Sequence, residues 1–330
     1  AFVLMVSTIL PVYFNYLAQN AGVSDVDYLA YWGYAASIST LIVAVLGPVM
    51  GTLADTRGFK KPLFLSCILV GCAGCLLMGL TTWWISFLVI FIIAKVGFNS
   101  SLVFYDSMLS DVTAPERMDR VSSSGYAWGY AGSCIPFIVS LVFVLGYQKM
   151  GFSFETGMMI AFAVVAVWWL VMSLPLMNQY RQVHYVERKP HAMRESVGRI
   201  IETLRSVRKQ KKIFLFLIAF FFFIDGVYTI IDMATAYGSA LGLDSTGLLL
   251  ALLVTQFVAF PFSILFGRLA EKYDTGKLIL TCIAAYTGIT VFAVFMKAQW
   301  QFWVLAIFVG MFQGGIQALS RSYFAKIVPP

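Results

Sequence analysis

Residues 51–61 read GTLADTRGFKK, a short charged turn set between two long apolar runs. They fit the pattern G-x-x-x-D-x-x-G-x-[KR]-[KR], and each fixed position has a physical reading. Gly51 removes the side chain where two helices would approach closely, and Gly58 supplies a tight turn at low steric cost. Asp55 and Arg57 place opposite charges at a membrane surface, while Lys60 and Lys61 favour its cytoplasmic side. An ordinary surface loop accounts for the lysines but leaves the spacing of glycine and acid without a reason.

Outward from this turn, the composition is that of a membrane protein. The 330 residues are 60% hydrophobic and only 12% charged, about half the ~25% charged content of soluble domains. Apolar runs fall at 1–18, 29–54, 62–81, 83–111, 121–147 and 154–177, then at 213–241, 246–270, 276–296 and 300–327. Each is near the ~20 residues that cross a hydrocarbon core as helix. Runs this apolar must satisfy their backbone groups internally, so an all-α polytopic protein of about ten spans is expected. The five cysteines all sit inside these runs. Cys72-x-x-Cys75 lacks a second ligand pair and reads as packing, so neither a metal nor a cofactor is expected. The chain opens within a run, without a charged leader, so no signal peptide is read.

Residues 178–212 interrupt the pattern. Ten Lys or Arg stand against Glu187, Glu195 and Glu202, a surplus of seven that equals the formal net charge of the whole chain. Ile200, Ile201, Leu204 and Val207 recur at helical spacing, which suits an amphipathic helix lying on anionic headgroups. Positive charge beside a span reads as a cytoplasmic loop rather than a nucleic-acid surface. The loops after spans two, four and eight then share that side, and Lys149 and Lys297 are alone on the other. A cytoplasmic amino terminus and a monomer are expected.

A weaker copy of the opening turn, GRLAEKYDTGK, occupies residues 267–277. Gly267 and Glu271 match Gly51 and Asp55 at a shift of 216. Val12-Tyr13 recurs as Val227-Tyr228 at nearly the same shift. This predicts two pseudo-symmetric halves of parallel topology, 1–177 and 213–330, joined by a basic linker at 178–212. The second half holds four spans, so ten of an expected twelve are present.

Ionisable residues inside spans usually face a cavity or a partner. Span four carries Lys95, Asn99 and Asp106 on one face, with Lys95 and Asp106 about 16 Å apart along the axis. Span seven carries Asp225, Tyr228 and Asp232 on one face, and a desolvated Asp225 is a candidate proton carrier. Gln256, Gln313 and Gln317 add neutral donors and acceptors, and Asn15 and Gln19 do so nearer the outer side. Asp106 and Arg321 are equivalents across the repeat, so they are expected either to meet as an inner gate or to be solvated separately. Glycine faces at 71/74/79, 125/129/132 and 310/314/315 read as helix packing, and the Phe220–Phe223 run as lipid-facing or packing surface. No nucleophile triad or P-loop is present, His184 and His191 both lie in the basic loop, and an enzyme is not expected.

The opening pattern resembles the loop between spans two and three of the major facilitator superfamily. Five strings narrow the resemblance to the vacuole-effluxer family of autophagy-related amino-acid permeases and their bacterial relatives. They are VGFNSSLVFYDSMLSDV (96–112), RVSSSGYAWGYAGS (120–133), DGVYTI (225–230), QFVAFPFSILFGRLA (256–270) and GGIQALSRSYFAKIVP (314–329). The resemblance implies secondary transport of neutral amino acids, as efflux, by alternating access around spans one, four, seven and ten, without a cofactor. Lys95 and Asn99 would meet a substrate carboxylate, and Asp225 an ammonium group or a co-transported proton. Asp55 and Arg57 would bias one state, with Gly51, Gly58, Gly267 and Glu271 completing the two hinges. Export of another small solute such as a sugar or drug, or a non-transporting sensor or lipid-handling role, are the alternatives.

Overall fold

The computed structural model describes residues 2–187 and 208–328. Its helices are α1 (Phe2–Ser7), α2 (Ile9–Asn20), α3 (Asp25–Ala54), α4 (Lys60–Met78), α5 (Trp84–Ser107) and α6 (Leu109–Val112). They continue as α7 (Met118–Gly146), α8 (Phe154–Gln179), α9 (Lys211–Ala240), α10 (Ser245–Leu269), α11 (Thr275–Val294) and α12 (Gln299–Ile327). Among the described residues the only β pairing is an isolated parallel bridge between Thr56 and Val186. Among the described residues, nine helices are long and apolar enough to cross a membrane. The amphipathic segment expected at 200–207, and His191, lie outside the described residues.

The expected first span is where prediction and structure part. The chain breaks at Thr8, between α1 and α2. Pro11 has no amide hydrogen to donate to the carbonyl four residues earlier, that of Ser7, and so frees it, although Pro48, Pro136, Pro175 and Pro261 sit inside helices that continue unbroken. The Thr8 hydroxyl turns back onto the carbonyl of Leu4, and the released Ser7 carbonyl accepts a hydrogen bond from Thr235 of α9. The freed carbonyl thus becomes a contact between α1 and α9.

The turns that follow α2 and α9 match in backbone detail. Gly22 follows α2 and Gly242 follows α9, both at φ +75°. The amide of Val23 bonds to the Ala18 carbonyl at 3.0 Å, and that of Leu243 to the Gly238 carbonyl at 3.1 Å. These are matching helix-terminating turns that favour glycine in the left-handed region. Ser24 then caps α3 and Asp244 caps α10, each accepting from an amide three residues on. The Ser24 cap starts α3 several residues before the apolar run begins.

Buried side chains form one cluster drawn chiefly from α1–α5, α7 and α8, and another from α9–α12. Close approach uses glycine: a Cβ on Gly74 would lie 2.6 Å from that of Ala94, and one on Gly310 would lie 2.7 Å from the Thr255 carbonyl. Gly129 and Gly132 depart from the expected packing face, since a Cβ at either would meet nothing within 4 Å. Phe221 and Phe222 are exposed, as a lipid-facing run requires. α7 crosses from the first half to pack on α10 and α12, and α1 touches α9. These crossings place the polar residues of α5, α7, α9 and α12 around one interface.

Candidate functional site

Three polar layers join the halves. The first is an ion pair between Lys95 of α5 and Asp232 of α9, at 2.6 Å. Tight packing of α4 on the back of α5 turns Lys95 towards α9: a Cβ on Gly97 would lie 2.9 Å from the Cys67 carbonyl. The ammonium also stands 5.8 Å above the ring of Phe91. Both side chains are largely withdrawn from solvent, at 7% and 22% exposure. Removing one member of such a pair costs about 3–5 kcal/mol, because the other is left buried and uncompensated.

The second layer is built on Arg321 of α12. Its guanidinium donates to Asp106 Oδ1 at 3.0 Å, to Ser122 Oγ at 2.9 Å and to the Ser122 carbonyl at 3.2 Å. It lies between the rings of Tyr105 and Tyr126, 5.3 and 4.9 Å from their centres. One cation is therefore held by α5 and α7 of the first half while rooted in the second. Tyr228 lies one helical turn before Asp232 on α9.

The third layer closes the end that carries the opening turn, here termed the hinge end. Lys326 of α12 donates to Asp119 of α7 at 2.6 Å, and Thr275 of α11 donates to the same oxygen at 3.0 Å. Between the layers runs a neutral seam in which Tyr130 donates to Gln317 at 2.8 Å and Ser133 to Gln256 at 3.4 Å. Gln313 is buried in the same helix as Gln317.

The residues singled out from sequence divide accordingly. Lys95, Asp106, Tyr228, Asp232, Gln256, Gln317 and Arg321 come together at the interface. Asn99 is half-buried one turn from Lys95, and Asp225 is exposed one turn from Tyr228, outside both ion pairs. Asn15 is half-buried with its side-chain oxygen unpartnered among the described residues, and Gln19 is exposed at the end of α2. The close approach expected at Gly51 occurs instead at its repeat partner. A Cβ on Gly51 would meet nothing within 4 Å, whereas one on Gly267 would lie 2.7 Å from Ser123. The reason is that α10 packs on α7, while α3 is the least covered of the nine long helices. Gly58 takes φ +79° as its turn requires. Glu271 reaches Arg120 only at 3.9 Å, in an exposed position.

A feature that the sequence did not disclose lies at the hinge end. The Asp111 side chain is fully buried and accepts from Lys60 at 3.3 Å, from the amides of Val183 and His184 at 3.3 and 2.9 Å, and from Tyr180. The ring nitrogen Nδ1 of His184 lies 2.9 Å from it. Burial and the Asp111 carboxylate raise the Tyr180 hydroxyl, which keeps it protonated as a donor. Residues 180–187 thereby form a strap over the opening turn. Val186 exchanges backbone bonds with Asp55 and Arg57, Gln182 binds the Ala54 carbonyl and the Gly58 amide, and Arg57 pairs with Glu187 at 3.3 Å. Lys60, read from sequence as a surface charge, is buried to 3% exposure by this arrangement.

Residues 17–330 match the model of a family described as "Vacuole effluxer Atg22 like". The chain is 41% identical to the uncharacterized MFS-type transporter YxiO of Bacillus subtilis (strain 168), over 99% of this chain and 77% of that one. It is 23% identical to autophagy-related protein 22 of Coccidioides immitis (strain RS), over 93% of this chain and 64% of the relative. With autophagy-related protein 22 of Saccharomyces cerevisiae (strain ATCC 204508 / S288c) it shares 25% identity, over 66% of this chain and 48% of the relative. Among solved structures, the proton:xylose symporter XylE bound to 6-bromo-6-deoxy-D-glucose superposes with a TM-score of 0.57 at 13% identity. That match covers 98% of this chain and 85% of XylE, and it concerns the fold alone.

Proposed function

This chain belongs to the vacuole effluxer Atg22-like family of major facilitator transporters, and from that premise we propose that it moves neutral amino acids by alternating access. The observation that carries the reading is the 2.6 Å pair between Lys95 and Asp232, one charge from each half. A zwitterionic amino acid brings the same two charges. Its carboxylate meets Lys95, with Asn99 beside it, and its ammonium group meets Asp232. Inserting the substrate then replaces one ion pair with two and leaves neither buried charge uncompensated. Asp225, expected from sequence to be desolvated, is exposed on the same helix, so the ammonium role passes to Asp232.

The halves 1–177 and 213–330 rock about this pair. The Arg321 and Lys326 layers hold the hinge end together in one state and part in the other, and the turns around Asp55 and Glu271 bias the exchange. The basic residues of 178–212 favour a cytoplasmic hinge end, and we set the amino terminus on that side of a bacterial inner membrane with the substrate leaving the cell. The Gln256, Gln317 and Tyr130 seam would also suit hydroxyl groups, which favours a sugar as the second reading. Counterflow in proteoliposomes separates the two. Labelled leucine and tyrosine exchange while a labelled pentose does not; pentose exchange without leucine exchange would reverse the assignment.

A further inference from the structure

On the outer surface of the seam between α7 and α10, near the hinge end, is a pocket of about 120 Å3. Arg120, Ser123 and Trp128 of α7 line it together with Ile264, Gly267 and Arg268 of α10. The two arginines lie within the terminal turns of their helices, at the level where a spanning helix meets phospholipid headgroups. Ile264 and Trp128 lie progressively deeper, and Trp128 is 70% exposed with its ring edge against Phe260 at 5.7 Å. Charge at the rim and exposed apolar surface below is the profile of a headgroup with its acyl chain.

A second observation concerns Ser123. It is 1% exposed, yet its hydroxyl has no hydrogen-bond partner among the described residues while lining this pocket. A buried donor left without a partner calls for a ligand atom. The cations are similarly available. Arg120 is engaged only by Glu271 at 3.9 Å, and Arg268 joins no ion pair among the described residues. Two guanidiniums outweigh the single Glu271 carboxylate, so the pocket favours an anion, and arginine suits phosphate by its forked geometry.

We propose that this pocket binds the phosphate of an anionic phospholipid headgroup and so ties α7 to α10, one helix from each half, at the hinge end. Phosphatidylglycerol carries the required uncompensated charge, whereas phosphatidylcholine offsets it with its own ammonium.

The test uses the purified protein in nanodiscs of phosphatidylcholine doped with phosphatidylglycerol, with bound lipid counted by native mass spectrometry after release. The wild type should retain phosphatidylglycerol at least tenfold over its bulk fraction. Arg120→Gln/Arg268→Gln should bring retention to the bulk fraction, and Arg268→Gln alone, at an exposed position, should lower it several-fold while leaving the melting temperature unchanged. Inorganic phosphate at 10 mM should not displace the lipid. Enrichment that survives the double variant, or none in the wild type, would overturn the proposal. Displacement by inorganic phosphate alone would assign the pocket to a soluble anion and overturn the lipid.

Discussion

Replacing Arg321 by glutamine should shift the protein away from the state in which its hinge end is closed. The side chain is 9% exposed and makes three hydrogen bonds to the first half, one of them to a carboxylate. A hydrogen bond involving a charged group contributes about 1.5–3 kcal/mol, and two aromatic faces add about 0.5–1 kcal/mol each. Glutamine recovers part of this, and Asp106, at 43% side-chain exposure, is not left as a fully buried charge. A net loss of about 3 kcal/mol from the closed state remains, which is on the order of a 100-fold change in the closed-to-open ratio. Spin labels on Glu116→Cys and Lys272→Cys, at exposed hinge-end positions of the two halves, read that ratio as a distance distribution. All five native cysteines are buried, so labelling favours the introduced pair. The wild type should populate the short distance and Arg321→Gln the long one. Exchanging the charges, Asp106→Arg with Arg321→Asp, should restore only about 1 kcal/mol, because the Ser122 bonds and the ring sandwich are lost. Distributions that agree within twofold between wild type and Arg321→Gln would refute the gate.

Other consequences follow from the same geometry. Asp111→Ala leaves Lys60 buried without its counter-charge and frees the strap over residues 55–58. It should cost about 3–5 kcal/mol, read as a fall in melting temperature, and limited proteolysis should newly cleave within 180–187. An unchanged melting temperature would mean the strap is not a structural element. At Gly74, substitution by valine should destabilise by about 1–3 kcal/mol, since its Cβ already lies 2.6 Å from that of Ala94. Gly129→Ala, where a Cβ meets nothing within 4 Å, should be neutral or slightly stabilising. Equal effects at the two glycines would contradict the packing of α4 on α5.

Much of this architecture is legible in the sequence because lipid leaves few options for a long apolar run. The Asp106–Arg321 relation was legible as well, because the repeat links positions 215 residues apart, but whether the two meet or are solvated separately was decided by the structure. Lys95 and Asp232 each stood out as charges in a span, yet their pairing did not. Helical periodicity fixes the face of a residue within its own span, not the rotation of one span against another. Asp111 was hidden for a related reason. Its partners come from residues 60 and 180–184, and nothing in a polar loop announces that it will fold back over a turn far upstream. Gly51 and Gly267 carry the same signature but meet different neighbours, which only the packing of α10 on α7 distinguishes. The break at Thr8 was not legible from Pro11, because Pro48, Pro136, Pro175 and Pro261 lie in equally apolar runs whose helices continue unbroken.

The most direct test of the proposed site is leucine counterflow by wild type, Lys95→Gln and Asp232→Asn, each challenged with unlabelled leucine and leucinamide. The wild type should be inhibited by leucine far more than by leucinamide, which lacks the carboxylate. Lys95→Gln should lose at least tenfold in leucine exchange and with it the preference for leucine over its amide, while Asp232→Asn loses exchange but keeps that preference in whatever binding remains. A Lys95→Gln protein that folds, exchanges leucine and still rejects leucinamide would place the carboxylate elsewhere and contradict the account.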